Sequence, residues 1–300
     1  MDNLQKLEER RLELLKDYGK EQKKAILFLV AGLLFGLAFL ISQMVLFLVI
    51  GIVFIVVSFV FFGKSASFAQ KFRTIIKKDL IVGLLEETFE DVRYEPNNFI
   101  SIQTINNTGM VKRPDRYNGE DYIAGSYKGV KFQVSDIDLK ERVETRDSKG
   151  NVHVSYQTYF KGRWYIYQFE RNFNDMLKIV EGRGWQANTR NLVKIETESM
   201  EFNKKFAIFA SNQEFGFYHI TSSMIEKFLT LEKLHRGSIL YYLAGNELHV
   251  GVNDRRDYME LSLKTPLNPE ALKDFMVDID LIPAIINELR LDTQKFKNQG

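Results

Sequence analysis

The sequence predicts an α+β protein: an N-terminal two-helix transmembrane hairpin, then a cytoplasmic, mostly antiparallel β domain, a meander or small barrel, with packed helices. Two long uncharged apolar runs lie within the first 62 residues, the pattern beyond residue 98 alternates as in β-strands, and helical periodicity returns after residue 222. The predicted domains are a cytoplasmic amphipathic helix over 1–24, the transmembrane hairpin over 25–63, a basic juxtamembrane helix over 64–95 and the cytoplasmic α+β domain over 96–300.

The composition excludes several classes of protein. With 45% hydrophobic and 13% aromatic residues, the 300-residue chain is too apolar for a disordered protein. It contains no cysteine, which excludes disulfides, thiolate metal sites, iron–sulfur clusters and a cysteine nucleophile. Its formal net charge of +2 shows no signature of nucleic-acid binding, so we expect no nucleic-acid partner.

The two apolar runs, 25–41 and 44–62, are separated only by Ser42 and Gln43. A single helix through both would be roughly 55 Å long, nearly twice the thickness of the hydrocarbon core, so two antiparallel spans are predicted. Neither run contains a charged residue or a histidine, which argues against a proton relay or transport pathway. We therefore interpret the hairpin as an anchor in the lipid bilayer.

Basic residues flank the hairpin on both sides, and its two-residue turn has none. The flanking residues are Lys6, Arg10, Arg11, Lys16, Lys20, Lys23 and Lys24 before the spans, and Lys64, Lys71, Arg73, Lys77 and Lys78 after them. The positive-inside rule then predicts a multi-pass protein of the cell membrane with two spans, both termini and the body being cytoplasmic. Without these flanks the remaining chain is mildly acidic.

The segment after the second span predicts contact with the membrane surface. Its five basic residues are Lys64, Lys71, Arg73, Lys77 and Lys78, and no acidic residue interrupts them. Such residues attract anionic headgroups by about 1 kcal/mol each. The alternative is that these charges only fix the orientation of the spans.

Gly32 and Gly36 form a GxxxG motif in the first span. Small residues at this spacing let helix backbones approach closely, so both are predicted to serve in helix packing. The partner helix is either the second span or another membrane protein.

Alternating patterns predict the strands of the body. Two hairpins are expected, with turns at 126–129 and 147–151. A third is expected from strands 239–243 and 248–252. Further strands are predicted at 163–169, 177–180, 192–196, 206–209 and 216–220. In the strand at 163–169, Trp164 and Ile166 are expected in the core, with Tyr165 and Tyr167 on a second packed face.

Two helices are predicted in the C-terminal third. The first starts near Ser223, in a capping box with Glu226, and ends before Gly237. The second starts at Asn268–Pro269, and Pro283 is expected to kink or stop it.

Several segments of the body resemble a known family. They are Pro114 to Gly125 (PDRYNGEDYIAG), Gly129 to Phe132 (GVKF), Tyr159 to Trp164 (YFKGRW), Phe169 to Phe173, Phe202 to Phe206 and Tyr218 to Leu229. Behind a two-span hairpin, this order resembles the bacterial membrane-anchored family catalogued as domain of unknown function 3137, over about residues 60 to 255. The resemblance implies a membrane-tethered cytoplasmic domain in bacteria, without an established activity, and a LemA-like membrane protein as partner.

No cofactor or metal site is expected. The four histidines, His153, His219, His235 and His249, lack metal-binding spacing, and His153 and His249 are predicted to face solvent. There is no P-loop, dinucleotide fingerprint or G-x-S-x-G elbow. Two acidic couples, Asp136 with Asp138 and Glu120 with Asp121, could serve acid–base chemistry or line an exposed strand face.

The function that these observations favour is that of a membrane-anchored cytoplasmic interaction module for a protein partner. No catalytic constellation is recognisable, and catalytic residues remain unassigned. Two alternatives stay open: a membrane-proximal hydrolase that uses the acidic couples, and a domain that binds lipid headgroups.

Overall fold

The computed structural model describes residues 2–182, 186–234, 237–257, 259, 261–268, 270 and 272–298. The chain divides into two compact units. The helical unit comprises Met1–Gly83 and Glu260–Asp274, and the sheet unit comprises Leu84–Met259 and Phe275–Gly300.

The helical unit is built on an antiparallel helix pair. Helices α1 (Asp2–Ser42) and α2 (Val45–Lys71) reverse direction at Gln43, which adopts a positive φ of 56°. Phenylalanines of the two helices stack across the pair, Phe28 against Phe54 and Phe61. Both helices are long and apolar enough to cross a membrane, and only 11% of each apolar stretch is buried. The predicted helical hairpin is therefore present.

The N-terminal part of α1 is held by the segment 261–267. The buried Arg11 donates to the carbonyl oxygen of Leu263 at 2.7 Å, and Glu8 accepts from the backbone N–H of Leu267 at 2.8 Å. Arg11 also pairs with Glu8 at 2.7 Å. The polar face of the predicted amphipathic helix thus contacts protein within this unit.

The juxtamembrane helix is shorter than predicted. After α2 the chain forms a π-helical stretch, Phe72–Lys77, and then α3, Lys78–Glu86. Residues 90–95, predicted as helix, instead form strand β1 (Glu90–Glu95). Strand pairing with β2 overrides the local helical pattern there, because Tyr94 is buried in the sheet unit.

Among the described residues, the sheet unit forms an open sheet of seven antiparallel strands. The remaining strands are β2 (Arg116–Tyr127), β3 (Val130–Arg146), β4 (Val152–Glu181), β5 (Val193–Ile195), β6 (Phe206–Ala210) and β7 (Ser238–Asn253). The order is β1-β2-β3-β4-β6-β5, and β7 pairs with the other edge of β4. The predicted α+β class is therefore confirmed, and the sheet is not a closed barrel.

Helices cover both faces of this sheet. They are α4 (Ile102–Thr108), α5 (Met200–Lys205), α6 (Gln213–His219), α7 (Ser222–Leu234) and α8 (Lys273–Leu289), followed by a 3-10 turn at Gln294–Phe296. One face buries Trp164 and Ile166 in a core with Ile105 of α4. The other buries Tyr165 and Tyr167, and the Tyr167 hydroxyl donates to the carbonyl oxygen of Ile282 in α8 at 3.1 Å. The prediction that both faces of this strand are packed is correct.

Strand β4 is 30 residues long. It contains three segments that the sequence predicts as separate strands: the one after the turn at 147–151, and those at 163–169 and 177–180. Both hairpin turns that flank β3 are confirmed by its pairing with β2 and β4. The predicted hairpin at 239–252 is wrong, because β7 runs continuously along β4. Gly245, with φ of +59°, bends β7 where its register with β4 shifts, which explains the turn-like sequence.

The helical predictions also need correction. Residues 216–220, predicted as a strand, lie mostly in α6, whose N-terminus is capped by Asn212, which accepts from Phe215 N–H at 2.8 Å. Helix α7 is capped by Thr221 rather than Ser223, and His235 lies outside the described residues. Pro283 does not stop α8, because buried isoleucines on either side of it keep the helix packed. Pro269, in the predicted helix start, lies outside the described residues.

Candidate functional site

A cavity of about 360 Å³ opens in the sheet unit. Its walls are mainly apolar and come from β4, β7, the C-terminal end of α6, α7, the C-terminal end of α8 and the segment that follows α8. The apolar lining residues are Leu177, Ile179, Ile220, Met224, Phe228, Leu243, Leu248, Leu289, Leu291 and Phe296. A volume in the range of roughly 300 to 1,000 Å³ with apolar walls and few polar groups is typical of small-molecule sites.

Three basic residues, Lys227, Arg290 and Lys295, line this cavity, and the described lining contains no acidic residue. Lys295 donates to the carbonyl oxygen of Tyr218 at 3.0 Å and lies 4.6 Å from the centre of that ring. Burial lowers the pKa of Lys295 to about 8, and the nearby Arg171 guanidinium lowers it further in the same direction. The cavity is therefore positively charged at neutral pH.

His219 brings an imidazole to the same cavity. It is the last residue of α6 and is only 4% exposed, packed against Phe173 and Phe215 with ring centres 5.0 and 4.5 Å away. Its Nε2 has no hydrogen-bond partner among the described residues. Burial, followed by Lys295 and Arg171, lowers the pKa of His219 to about 3, so the ring is neutral near pH 7.

Tyr241 of β7 adds a second polar atom without a partner. Its side chain is 2% exposed and its ring lies 4.7 Å from that of Phe228. The hydroxyl makes no hydrogen bond within the described chain. Because burial raises the pKa of Tyr241 well above its ordinary value, this hydroxyl keeps its proton. A buried donor without an acceptor costs about 1–3 kcal/mol, which a bound polar group would recover.

Three residues of the acidic couples, Glu120, Asp136 and Asp138, line a different, polar cleft of about 360 Å³. It is bordered by Asn118, Glu120, Asp136, Asp138, Lys161, Arg256 and Asp257, among others. Asp138 accepts from Thr158 at 2.9 Å and from Lys140 at 3.0 Å. Lys161 pairs with Asp257 at 2.8 Å. The carboxylates of this cleft are thus held by neighbouring cations and hydroxyls.

Two of the four acidic residues, Asp136 and Asp121, are buried, and each is paired with a buried side chain outside the couples. Asp136 accepts from Nε of the fully buried Arg163 at 2.7 Å. Asp121 is buried on another part of the sheet and accepts from the Tyr94 hydroxyl. Burial and the Asp121 charge together raise the pKa of Tyr94. Asp136 and Asp121 are thus each held in a buried pair, while Glu120 stands directly opposite Asp136 across β2 and β3 and lines the same cleft. No group of three or more metal-binding side chains occurs among the described residues.

The histidine predictions have mixed outcomes. His153 is exposed, as predicted, but His249 is buried, because the face on which it lies is covered as well. His249 Nδ1 accepts from Trp164 Nε1–H at 3.2 Å, and its Nε2 lies 3.1 Å from the Glu247 carboxylate. This hydrogen bond lowers the pKa of Glu247. The network fixes the Trp164 indole in the core.

The basic residues predicted to contact the membrane surface lie in α2, the π-helical stretch and α3. Lys64, Lys71, Arg73 and Lys78 are exposed, whereas Lys77 is buried. The four exposed side chains have access to solvent in the helical unit. Their contact with headgroups stays a prediction.

Of the two glycines in the motif, Gly32 lies where α1 and α2 approach each other, whereas a methyl group on Gly36 would have no neighbouring atom within 4 Å. A methyl group on Gly32 would lie 2.8 Å from Ile55 Cγ1 and 3.0 Å from the carbonyl oxygen of Gly51. A methyl group on Gly51 would in turn lie 3.3 Å from the backbone nitrogen of Gly36. The close approach of the two backbones leaves no room for a side chain at Gly32.

The sequence pattern does not predict the cavity. It places His219 in a strand and Tyr241 in a two-stranded hairpin, so it does not bring the two side chains together. The signal that could have identified α6 is Asn212, a favourable N-cap residue four positions before Gly216.

Comparison with known proteins supports the family resemblance. The profile of the family described as "Protein of unknown function (DUF3137)" matches residues 158–291, so the resemblance is confirmed across that part of the chain. Among solved structures, the chain is similar to the mycobacterial trehalose monomycolate transport factor A, TtfA. The identity is 10% and the TM-score 0.33, with 64% of this chain and 88% of that chain covered. A comparison with curated protein sequences finds no match.

Proposed function

We propose that this chain, which carries the DUF3137 domain, is an integral membrane protein whose cytoplasmic sheet unit acts as an interaction module for a protein partner. The surface that carries the proposal is the end of the β3–β4 hairpin. We call it the ribbon and define it as residues 141–146 of β3 with residues 152–157 of β4.

Exposed apolar side chains on α1 and α2 support the membrane anchor. Ile41 is 78% exposed and Leu40 69%, fractions that a soluble protein would not tolerate over two whole helices. The spans carry no charge, and basic residues follow and precede them. By the positive-inside rule this charge distribution favours cytoplasmic termini and a cytoplasmic sheet unit.

The ribbon has unpaired backbone on the β4 side. Strand β7 begins its pairing with β4 at Gly162, and the segment from Val152 to Gln157 has no strand beside it on that edge among the described residues. Strand β3 is paired with β2 only up to Lys140, where Arg116 stands opposite. An unpaired strand edge is a template onto which an extended segment of another protein can add.

The side chains of this edge favour a protein partner. Val152 and Val154 are 48% and 47% exposed and lie on the same face as Tyr156. The opposite face presents His153, Ser155 and Gln157. An added strand would bury the valines and gain main-chain hydrogen bonds, the two sources of affinity in strand addition. The LemA-like protein implied by the family resemblance is the partner we would look for first.

A shortened ribbon tests this proposal. Arg142 and Tyr156 are directly opposite each other, so replacing residues 143–155 by Asn-Gly closes the hairpin in a two-residue turn. The change preserves the stacking of Arg116 on Tyr156, 3.5 Å from the ring centre. Tagged full-length protein, purified from native membranes in mild detergent, should recover a partner near stoichiometrically, and the shortened variant should recover none.

A matched pair of substitutions locates the contact more finely. Val154→Lys places a charge on the apolar face and should abolish recovery of the partner. Ser155→Lys places the same charge on the polar face and should preserve it. Equal recovery by the shortened variant and the wild type, or recovery of no partner by the wild type, would show that the ribbon is not a binding surface.

A further inference from the structure

We infer that the cavity of the sheet unit binds a single-chain amphiphile with an anionic head group, such as a fatty-acid carboxylate. This site is separate from the ribbon, and the inference does not depend on the ribbon binding a protein. It rests on three features of the cavity: its apolar walls, its two buried polar atoms without partners, and the sign of its charge.

The apolar walls favour a hydrocarbon tail. Leu177 and Ile179 of β4 and Leu243 and Leu248 of β7 supply aliphatic surface on the sheet side, and Phe228 of α7 supplies an aromatic wall. Aliphatic chains are stabilised by the removal of their surface from water, without a requirement for directional contacts. A cavity of about 360 Å³ accommodates one tail rather than two.

The buried polar atoms favour a ligand that has a polar end. His219 Nε2 and the Tyr241 hydroxyl are both enclosed and have no partner within the described chain. Buried polar groups in native proteins are nearly always hydrogen-bonded, so two exceptions that line one cavity point to a group that is bound there. A hydroxyl donor of this kind suits a carboxylate or phosphate oxygen as acceptor.

The charge of the lining selects the sign of the head group. Lys227, Arg290 and Lys295 line the cavity, and Arg171 lies beside Lys295, donating to its carbonyl oxygen at 3.2 Å. Of these cations, Lys227 pairs with Glu288, whose carboxylate is 3.8 Å from Lys227 Nζ. The described lining itself contains three basic residues and no acidic one, so an anionic head group would balance its charge. A cationic or neutral amphiphile would leave that charge uncompensated.

Photolabelling tests the inference on the full-length chain. The protein is reconstituted in lipid nanodiscs and irradiated with laurate that carries a diazirine in its tail. We expect labelled peptides from the cavity, around Met224 and Leu243, in addition to labelling of the lipid-facing spans. Unlabelled laurate and dodecyl phosphate should compete for the cavity label, and dodecyltrimethylammonium should not. Competition by dodecyl phosphate alone would assign the head group as phosphate instead of carboxylate.

Two kinds of variant separate the cavity from the bilayer. Leu243→Trp fills the cavity and should remove the cavity label while the span label stays constant. Lys295→Glu, at the partly exposed rim, should lower the cavity label by about tenfold, as expected when a close cation is replaced by an anion. Met200→Trp, at an exposed position, is the control and should change neither label.

Three results would overturn the inference. Labelling confined to the spans would show that the cavity takes no amphiphile. Cavity labelling that Lys295→Glu leaves unchanged, or that dodecyltrimethylammonium removes as well as laurate does, would show that the site does not select an anion. None of these results bears on partner recovery through the ribbon.

Discussion

The ion pair between Asp136 and Arg163 should be a principal determinant of the stability of the sheet unit. Arg163 is fully buried, and its Nε donates to Asp136 at 2.7 Å. Burial alone would lower the pKa of Arg163, but Asp136, followed by Tyr165 and Asp278, raises it above its ordinary value, so the guanidinium stays charged. Removing one partner of a buried pair leaves an uncompensated charge, at a cost of about 3–5 kcal/mol.

For Asp136→Asn we expect a loss of about 3 kcal/mol, the lower end of that range. The amide oxygen still accepts a hydrogen bond, and Asp278 still attracts the guanidinium. Urea unfolding of the full-length chain, followed by tryptophan emission, measures this loss, because Trp164 is fully buried. Replacing both partners, as in Asp136→Leu with Arg163→Met, should cost less than Asp136→Asn alone, since no buried charge is left unpaired.

The exposed pair of Lys194 and Glu196, 2.9 Å apart, provides the control. Glu196→Gln should cost at most about 1 kcal/mol, because solvent screens an exposed pair. If Asp136→Asn cost no more than Glu196→Gln, the reasoning about the buried pair would be refuted. The comparison also bears on the hydrolase alternative, because loss of a cellular phenotype in Asp136→Asn would then reflect unfolding and not catalysis.

Two further predictions concern the pH dependence of stability and the backbone. His219 has a pKa of about 3 in the folded chain, below its ordinary value of 6.5. Its contribution to the free energy of unfolding is therefore fully present above about pH 6.5 and is lost as the pH falls towards 3. His219→Phe should therefore lose less stability than the wild type between pH 6 and 3 in urea titrations; equal losses would contradict this. Gly162 has a φ of +149°, and a methyl group there would lie 2.1 Å from the carbonyl oxygen of Val252, whereas Gly150 has a φ of +85° and open space around it. Gly162→Ala should thus cost well over the roughly 1 kcal/mol expected for Gly150→Ala, as thermal melts would show, and similar melting temperatures would contradict it.

Local patterns predicted those parts of the fold in which neighbouring residues decide the structure. Apolar runs identified the two long helices α1 and α2, and alternation identified β2, β3 and both faces of β4 around Trp164. The pairing of β4 with β7, which are far apart along the chain, cannot be predicted from such local patterns. This pairing makes the predicted turn around Gly245 a bend within the continuous strand β7.

The candidate site was predictable only in part. The basic residues after the second span and the acidic couples are visible as sequence clusters. The cavity is not, because its wall joins residues that are far apart along the chain, such as Leu177, His219, Tyr241 and Phe296. Their periodicity resembles that of ordinary core residues, and only the tertiary structure shows that His219 and Tyr241 have polar atoms without partners.

The topology of the chain is the central claim, and a single cysteine tests it most directly. The protein contains no cysteine, and Ser148 lies in the exposed turn at the tip of the ribbon. Ser148→Cys should resist a membrane-impermeant maleimide in intact cells and react after lysis. Ser42→Cys, in the turn between α1 and α2, should react in intact cells. Labelling of Ser148→Cys from outside, with protection of Ser42→Cys, would contradict the cytoplasmic placement of the sheet unit.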